Sequence, residues 1–231
     1  MNSDNYLPNA PVIDQDAQTR GQFIARTYGH LMGAIAAFTL IEVVLFKTGV
    51  AESIASALLG TNWLLVLGGF VVVSWIARSV AHSSSSLITQ YAALAGFVLA
   101  EALIFVPMLY IAEYRAPGVI GSAAFVTLLA FGSLTLLVFS TRKDFSFLRG
   151  ILMWSGIIAM VAIVTGVIFG FQLGTWFSVG MIALAGGSIL YDTSNVMLRY
   201  STDRYVAASL ELFASVALMF WYVLRLLSSR R

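Results

Sequence analysis

Apolar runs of about 20 residues alternate with short polar segments along almost the whole chain. Seven such runs cover residues 29–47, 62–81, 87–111, 119–140, 150–171, 176–198 and 206–227. A helix needs about 20 predominantly apolar residues to cross a bilayer. The polar connectors, such as EYRAPG and STRKDFSFLR, are typical of turns between helices. The pattern therefore predicts an all-α integral membrane protein with seven transmembrane helices.

The first residues of the chain have a different character. The stretch MNSDNYLPNAPVIDQDAQTR is polar and acidic, and it lacks the basic segment and short apolar core of a cleavable signal peptide. We predict a flexible polar cytoplasmic tail over residues 1–27. A single seven-helix transmembrane domain is predicted over residues 28–231, because no further linker or change of composition follows.

Composition supports the membrane assignment and excludes several functions. Of 231 residues, 59% are hydrophobic and only 10% are charged, against about 25% charged in soluble domains. A net charge of +2 is too small to indicate nucleic-acid binding, and the absence of cysteine excludes disulfides and thiol chemistry. The two histidines form no HExxH motif. An intramembrane aspartyl protease needs two aspartates on neighbouring helices, and Asp192 is the only aspartate in the predicted spans. We predict no enzyme activity and no resident cofactor or metal.

The positions of Lys and Arg predict the orientation, since cytoplasmic loops carry an excess of them. Eight of the 13 fall on the same side as the tail; the other five are Lys47, Arg115, Arg225, Arg230 and Arg231. The bias places the N-terminus in the cytoplasm. The terminal SSRR opposes this bias, and a last segment that does not cross fully would place that end inside as well.

Three ionisable residues lie at similar depth near one end of their spans. Arg78, Asp192 and Glu211 are about three, six and five residues from the predicted cytoplasmic boundary, which corresponds to roughly 5–9 Å. A charge inside a membrane requires a partner or a water-filled cavity. We predict a cluster in which Arg78 pairs with Asp192 and Glu211 lies close by. Alternatively, Arg78 extends to the headgroups and the acids only make hydrogen bonds between helices.

Two further carboxylates lie in predicted spans. Glu101 is near the middle of its span, within AGFVLAEALIFVP, and is either an intramembrane ion or proton site or a neutral packing residue. Glu42 lies toward the opposite membrane face, where its side chain is expected to reach the interface.

The segments STRKDFSFLRGILM (140–153), ILYDTSN (189–195) and ASLELFASVALMFWYVLRLL resemble the Bax inhibitor-1 family. The bacterial branch that they resemble is that of the YccA-type modulators of the FtsH protease. The resemblance implies a seven-helix fold with the last helix central, in a bacterial inner membrane. It also implies a membrane protease of the FtsH type as partner.

The resemblance assigns a role to Asp192. In calcium-leak members the equivalent aspartate pairs with a second aspartate of the last helix, forming a pH-sensing dyad. The second position falls on Ser215 here, while Glu211 lies one turn earlier on the same helix face and is expected to replace the missing acid. We expect the two acids to titrate as a coupled pair beside Arg78, so that Arg78, Asp192, Glu211 and Ser215 form a pH-sensing latch.

Two functions follow from these expectations. The first is regulation of a membrane protease or of membrane-protein quality control, with the tail as a contact for the partner. The second is a pH-sensitive leak of calcium or another cation, in which Ca²⁺ is the transported ion. The absence of an intact aspartate dyad favours the regulator.

Overall fold

In a computed structural model of the chain, the structure describes residues 10–229, and these are almost entirely helical. A 3-10 turn, Val12–Asp14, is followed by eight α-helices. The helices are α1 (Ala17–Lys47), α2 (Val50–Leu59), α3 (Trp63–Ser83), α4 (Leu87–Arg115), α5 (Val119–Thr141), α6 (Leu148–Phe169), α7 (Thr175–Leu198) and α8 (Tyr205–Ser228). The seven long helices begin and end close to the predicted apolar runs, except that α1 begins earlier.

The long helices alternate in direction, which gives the bundle two ends. At one end, Arg204 in the α7–α8 loop donates hydrogen bonds to the carbonyl groups of His82 and Ser84, where α3 ends. At the other end, Arg225 near the end of α8 donates to the carbonyl group of Leu173 in the α6–α7 loop. We call these the Arg78 end and the Lys47 end, because α3 finishes at the first and α1 at the second.

Six of the described helices are long and apolar enough to cross a membrane: α1, α3, α4, α5, α6 and α8. Helix α7 has 24 residues but carries Asp192, Thr193, Ser194 and Asn195 close to its end, which lowers its apolarity. Multiple membrane passes are therefore supported. Seven transmembrane helices would require that α7 also crosses the membrane, and this crossing stays a prediction.

The last helix occupies the centre of the bundle, as expected. Helix α8 contacts α1, α3, α4, α5 and α7, and it is the most deeply buried of the six apolar helices. Its buried face includes many small residues, namely Ala207, Ala208, Ser209, Ala214, Ser215 and Ala217. Small side chains allow helices to approach closely in a membrane, which explains how one helix contacts five others.

Helix α1 begins at Ala17, ten residues before the predicted end of the tail. The Asp16 carboxylate caps it by accepting hydrogen bonds from the backbone N–H groups of Gln18 and Thr19. Val12 is fully buried, and its N–H donates to the carbonyl group of Tyr200 in the α7–α8 loop at 2.8 Å. Residues 10–27 therefore pack as part of the bundle, and residues 1–9 of the predicted tail lie outside the described residues.

The short helix α2 has no counterpart among the predicted elements. Its Ala51 and Ala55 are buried against Val106 of α4 at the Lys47 end. Ten residues are too few to cross a bilayer, so α2 covers this end of the bundle.

Candidate functional site

Arg78 and Glu211 form an ion pair that joins α3 to α8. The distance between Arg78 Nη1 and Glu211 Oε2 is 2.6 Å, and the Glu211 side chain is only 16% exposed. The guanidinium also lies over the Phe97 ring of α4, 5.8 Å from its centroid. The expected direct pairing of Arg78 with Asp192 is therefore wrong: among the described residues, the acid that pairs with Arg78 is Glu211.

The packing order of the helices explains this difference. Helix α8 packs on both α3 and α7, while α3 and α7 do not pack on each other within residues 10–229. An arginine on α3 therefore meets the carboxylate of α8 first. Depth along the membrane was predicted from sequence, but depth does not specify which helix lies between two others.

Asp192 is joined to Ser215 instead. The Ser215 hydroxyl donates a hydrogen bond to Asp192 Oδ2 at 2.6 Å, which connects α7 to α8. Glu211 and Ser215 are one turn apart on α8, so the two contacts lie on the same face of the central helix. The four predicted residues thus lie close together, as two adjacent pairs, and whether they respond to pH stays a prediction.

His82 is a neighbour of this cluster that sequence reasoning missed. Its Nδ1 lies 3.8 Å from Glu211 Oε1 and 2.9 Å from the Arg78 carbonyl oxygen, and its Nε2 lies 3.3 Å from the Tyr200 hydroxyl. If Nδ1 donates to the carbonyl oxygen, then Nε2 of the neutral ring accepts from Tyr200. The spacing of four residues from Arg78 was an available signal, because it places both side chains on one face of α3.

The cluster lines a large cavity within the bundle. The cavity has a volume of about 1110 Å³ and is bordered by residues of α3, α4, α6, α7 and α8. Arg78, Asp192, Glu211 and Ser215 line it near one end, while Trp63, Leu173 and Arg225 line it near the Lys47 end. The buried Glu101 lines the same cavity, so the structure connects the mid-span carboxylate to the cluster.

Loops close the Arg78 end beside this cavity. Besides the hydrogen bonds of Arg204, Arg199 donates to Asp144 of the α5–α6 loop at 2.8 Å. The hydrogen bond from Arg199 lowers the pKa of the Asp144 carboxyl below its ordinary value. Ser194 Oγ accepts from the Phe145 N–H, which further fixes this loop to α7.

The sequence predicted that the Glu42 side chain reaches the membrane interface, and this prediction is wrong. It is 7% exposed, and neither carboxylate oxygen has a hydrogen-bond partner among the described residues. It lies on the buried stripe of α1 formed by Phe23, Thr27, Leu31 and Ala34. That stripe faces the bundle, so Glu42 is directed inward, into a second cavity.

Within residues 10–229, no group of three or more His, Cys, Asp or Glu side chains converges in a way that could hold a metal ion. The carboxylates of the large cavity, Glu101, Asp192 and Glu211, are thus distributed along its wall.

Comparison with known proteins gives the family. The family described as "Inhibitor of apoptosis-promoting Bax1" (Bax1-I) matches residues 20–231, which include every residue of the cluster. The chain belongs to this family. This membership confirms the family resemblance that the sequence segments indicated.

Individual relatives of this Bax1-I chain come from plants, fungi and bacteria. A BI1-like protein of Arabidopsis thaliana is 30% identical over 91% of this chain and 81% of its own length. Bax inhibitor 1 of Schizosaccharomyces pombe is 26% identical, over 97% and 82% respectively. The protein named modulator of FtsH protease YccA in Escherichia coli K12 is 29% identical over 71% and 74%. These names describe inhibitor-type proteins and a modulator, and none of the three describes an enzyme.

Proposed function

We propose that this protein is a bacterial inner-membrane regulator of a membrane protease or of membrane-protein quality control. The similarity to YccA, named as a modulator of FtsH protease, supports this class of partner. The regulator has no catalytic role and no resident cofactor. Helix α7 crosses the membrane as a seventh span, with the N-terminus in the cytoplasm.

One observation carries the mechanism: α8 holds α3 through Glu211–Arg78 and holds α7 through Ser215–Asp192, one turn apart. These four residues are the latch. Loss of the contact between Glu211 and Arg78 leaves the guanidinium without its ion pair, which releases the end of α3 from α8. Loss of the Ser215–Asp192 hydrogen bond releases α7 in the same way. Either event changes the surface that the Arg78 end presents to a partner.

The experiment compares an open latch with the loss of a carboxylate at the opposite end of the bundle. Glu211→Gln and, as matched control, Glu113→Gln at the Lys47 end are expressed at equal levels with a membrane-bound protease of the FtsH type. Co-purification and the half-life of a known protease substrate are then measured. We expect Glu211→Gln to change both and Glu113→Gln to change neither. Equal behaviour of wild type and Glu211→Gln would exclude the latch as the regulating element.

The N-terminal segment needs a separate truncation. Removal of residues 1–9 keeps the Val12–Tyr200 contact and the Asp16 cap, which removal of residues 1–20 would destroy. If the segment is the contact for the partner, this shorter truncation lowers co-purification while the unfolding temperature stays constant. Retained co-purification would assign the contact to another surface.

The large cavity favours a second function, a pH-sensitive leak of calcium or another cation. Three carboxylates line it, those of Glu101, Asp192 and Glu211, and its lining residues extend to Arg225 near the Lys47 end. Purified protein in liposomes should then pass Ca²⁺ at a rate that depends on pH. Asp192→Asn is expected to abolish the pH dependence. Absence of flux above that of empty liposomes at every pH would reject the leak.

A further inference from the structure

A second cavity opens at the opposite half of the bundle, between α1 and α5. Its volume is about 480 Å³, within the range of about 300–1,000 Å³ that is typical of small-molecule sites. Helices α1 and α5 both pack on α8. They contact each other toward the Arg78 end, where Tyr28 of α1 lies against the Phe131 and Phe139 rings of α5. The cavity lies between the two helices on the Lys47 side of these contacts.

Two polar side chains with no partner lie in this cavity. Glu42 of α1 and Thr127 of α5 both line it, and they are 7% and 2% exposed. Both Glu42 carboxylate oxygens and the Thr127 hydroxyl oxygen lack a hydrogen-bond partner among the described residues. Buried polar groups without partners are rare in native proteins and call for an explanation. An absent ligand that donates hydrogen bonds supplies one.

The remaining lining residues define the rest of that ligand. Most are apolar or aromatic, and they include the four phenylalanines Phe38, Phe46, Phe213 and Phe220. Aromatic faces attract organic cations, and apolar walls favour an apolar body. A primary ammonium has three N–H donors for the three unpaired oxygen atoms. A single carboxylate offers too few oxygen ligands for a desolvated calcium ion, which takes 6–8.

The position of Glu42 sets the orientation of the ligand. Along α1, the lining residues extend from Ile35, seven residues before Glu42, to the exposed Lys47, five residues after it. These separations correspond to roughly 10.5 Å and 7.5 Å along the helix. Glu113 also lines the cavity, and its exposed charge is opposite in sign to that of Lys47. An ammonium at Glu42 therefore leaves room for an apolar chain directed toward Ile35.

We propose that this cavity is a binding site for a lipophilic primary amine, with its ammonium group on Glu42 and Thr127. A free amine fits better than an aminophospholipid, since the phosphate of the latter would enter apolar surroundings beside Glu42 at an unfavourable desolvation cost. The site is separate from the latch and does not depend on the proposed regulatory function.

Fluorescence titration with dansylcadaverine, a lipophilic primary amine, tests the site. The full chain is placed in phosphatidylcholine nanodiscs, and the N-acetyl derivative serves as the neutral ligand control. We expect saturable binding that Glu42→Gln weakens by about 10- to 100-fold, as for the loss of a charged hydrogen bond. Acetylation of the amine should weaken binding to the wild type by a similar factor. The matched control Glu101→Gln, in the other cavity, should retain wild-type affinity.

Further arms keep the test decisive if Glu42→Gln fails to fold. Ala124→Phe keeps the carboxylate but fills part of the cavity, and it should also weaken binding at least tenfold. Equal affinity for the amine and its acetylated form, or full binding to Ala124→Phe, would overturn the proposal. Loss of binding in Glu101→Gln would place the amine in the other cavity and overturn it too. Reduced affinity in phosphatidylethanolamine nanodiscs would assign the site to the lipid headgroup instead.

Discussion

The guanidinium of Arg78 lies 2.6 Å from the carboxylate of Glu211, and this ion pair joins α3 to the central helix α8. One turn farther along α8, the Ser215 hydroxyl donates a hydrogen bond to the Asp192 carboxylate of α7. The two acids therefore have different partners, one charged and one neutral. Their contributions to stability should differ accordingly.

Glu211→Gln should destabilise the protein more than Asp192→Asn does. The first substitution leaves Arg78 without its ion pair, whereas the second keeps a hydrogen-bonding partner for Ser215. We expect a loss of about 1–2 kcal/mol for Glu211→Gln, since hydrogen bonds to charged groups are stronger than neutral ones but Arg78 is partly exposed. Thermal unfolding of the purified variants measures the difference.

A double-mutant cycle with Arg78→Met provides the control. Because the two side chains interact directly, the double variant should lose less stability than the sum of the single variants. Strict additivity, or a greater loss for Asp192→Asn than for Glu211→Gln, would contradict the observed pairing.

Much of the fold could be predicted because a helix that crosses a bilayer needs about 20 predominantly apolar residues. The runs 119–140 and 176–198 match α5 and α7 to within one residue at each end. The amphipathic helix α2 was missed because ten residues give no spanning signal. The early start of α1 was missed because residues 17–27 are polar and read as a tail, although Asp16 is a good N-cap residue.

The site was predicted less completely, for a reason that concerns neighbours rather than depth. Residue spacing gave the depth of Arg78, Asp192 and Glu211 correctly enough to bring them together. Spacing could not show that α8 separates α3 from α7, so the pairing of Arg78 was assigned to the wrong acid. Glu42 was placed at the interface because its depth was known and its helix face was not considered.

Acid should weaken the connection between the α5–α6 loop and the α7–α8 loop. The hydrogen bond from Arg199 lowers the pKa of the Asp144 carboxyl from its ordinary value of 3.8. The folded state thus favours the ionised carboxyl. Its stabilising contribution is present above the ordinary value and is lost as the pH falls through the lowered value of the folded protein. We expect a small effect, because both side chains are about half exposed.

Comparison of wild type with Asp144→Asn isolates this contribution. The wild type should have the higher unfolding temperature at pH 7, and the difference should shrink toward zero as the pH falls below the ordinary value of 3.8. A difference that stays constant over this range would assign the contact a role that does not depend on its charge.

Topology reporters can decide how many times the chain crosses the membrane. Fusions at Pro117 and at Lys143 should report the outside and the cytoplasm respectively, since the Lys and Arg bias places the N-terminus inside. Insertions at Leu173 and at Ser201 flank α7 and should report opposite sides if α7 crosses. The same side at both positions would leave six spans.

Ser215→Asp should introduce a pH-dependent contact between α7 and α8. In the present structure the Asp192 carboxylate accepts a hydrogen bond from a hydroxyl group that carries no charge. A carboxylate at position 215 would place two acids in contact, and two ionised acids repel each other unless a proton lies between them. The packing of α7 on α8 should therefore loosen as pH rises in this variant. Trp221 of α8 packs against a buried cluster that includes Met181 of α7, so its fluorescence offers a signal for the movement.

Ser215→Asn is the matched control, because asparagine has a shape similar to that of aspartate but carries no charge. The fluorescence of this variant should follow the wild type at every pH. If Ser215→Asp and Ser215→Asn give the same pH profile, then the contact at position 215 does not govern helix packing, and the latch must depend on Arg78 and Glu211 alone.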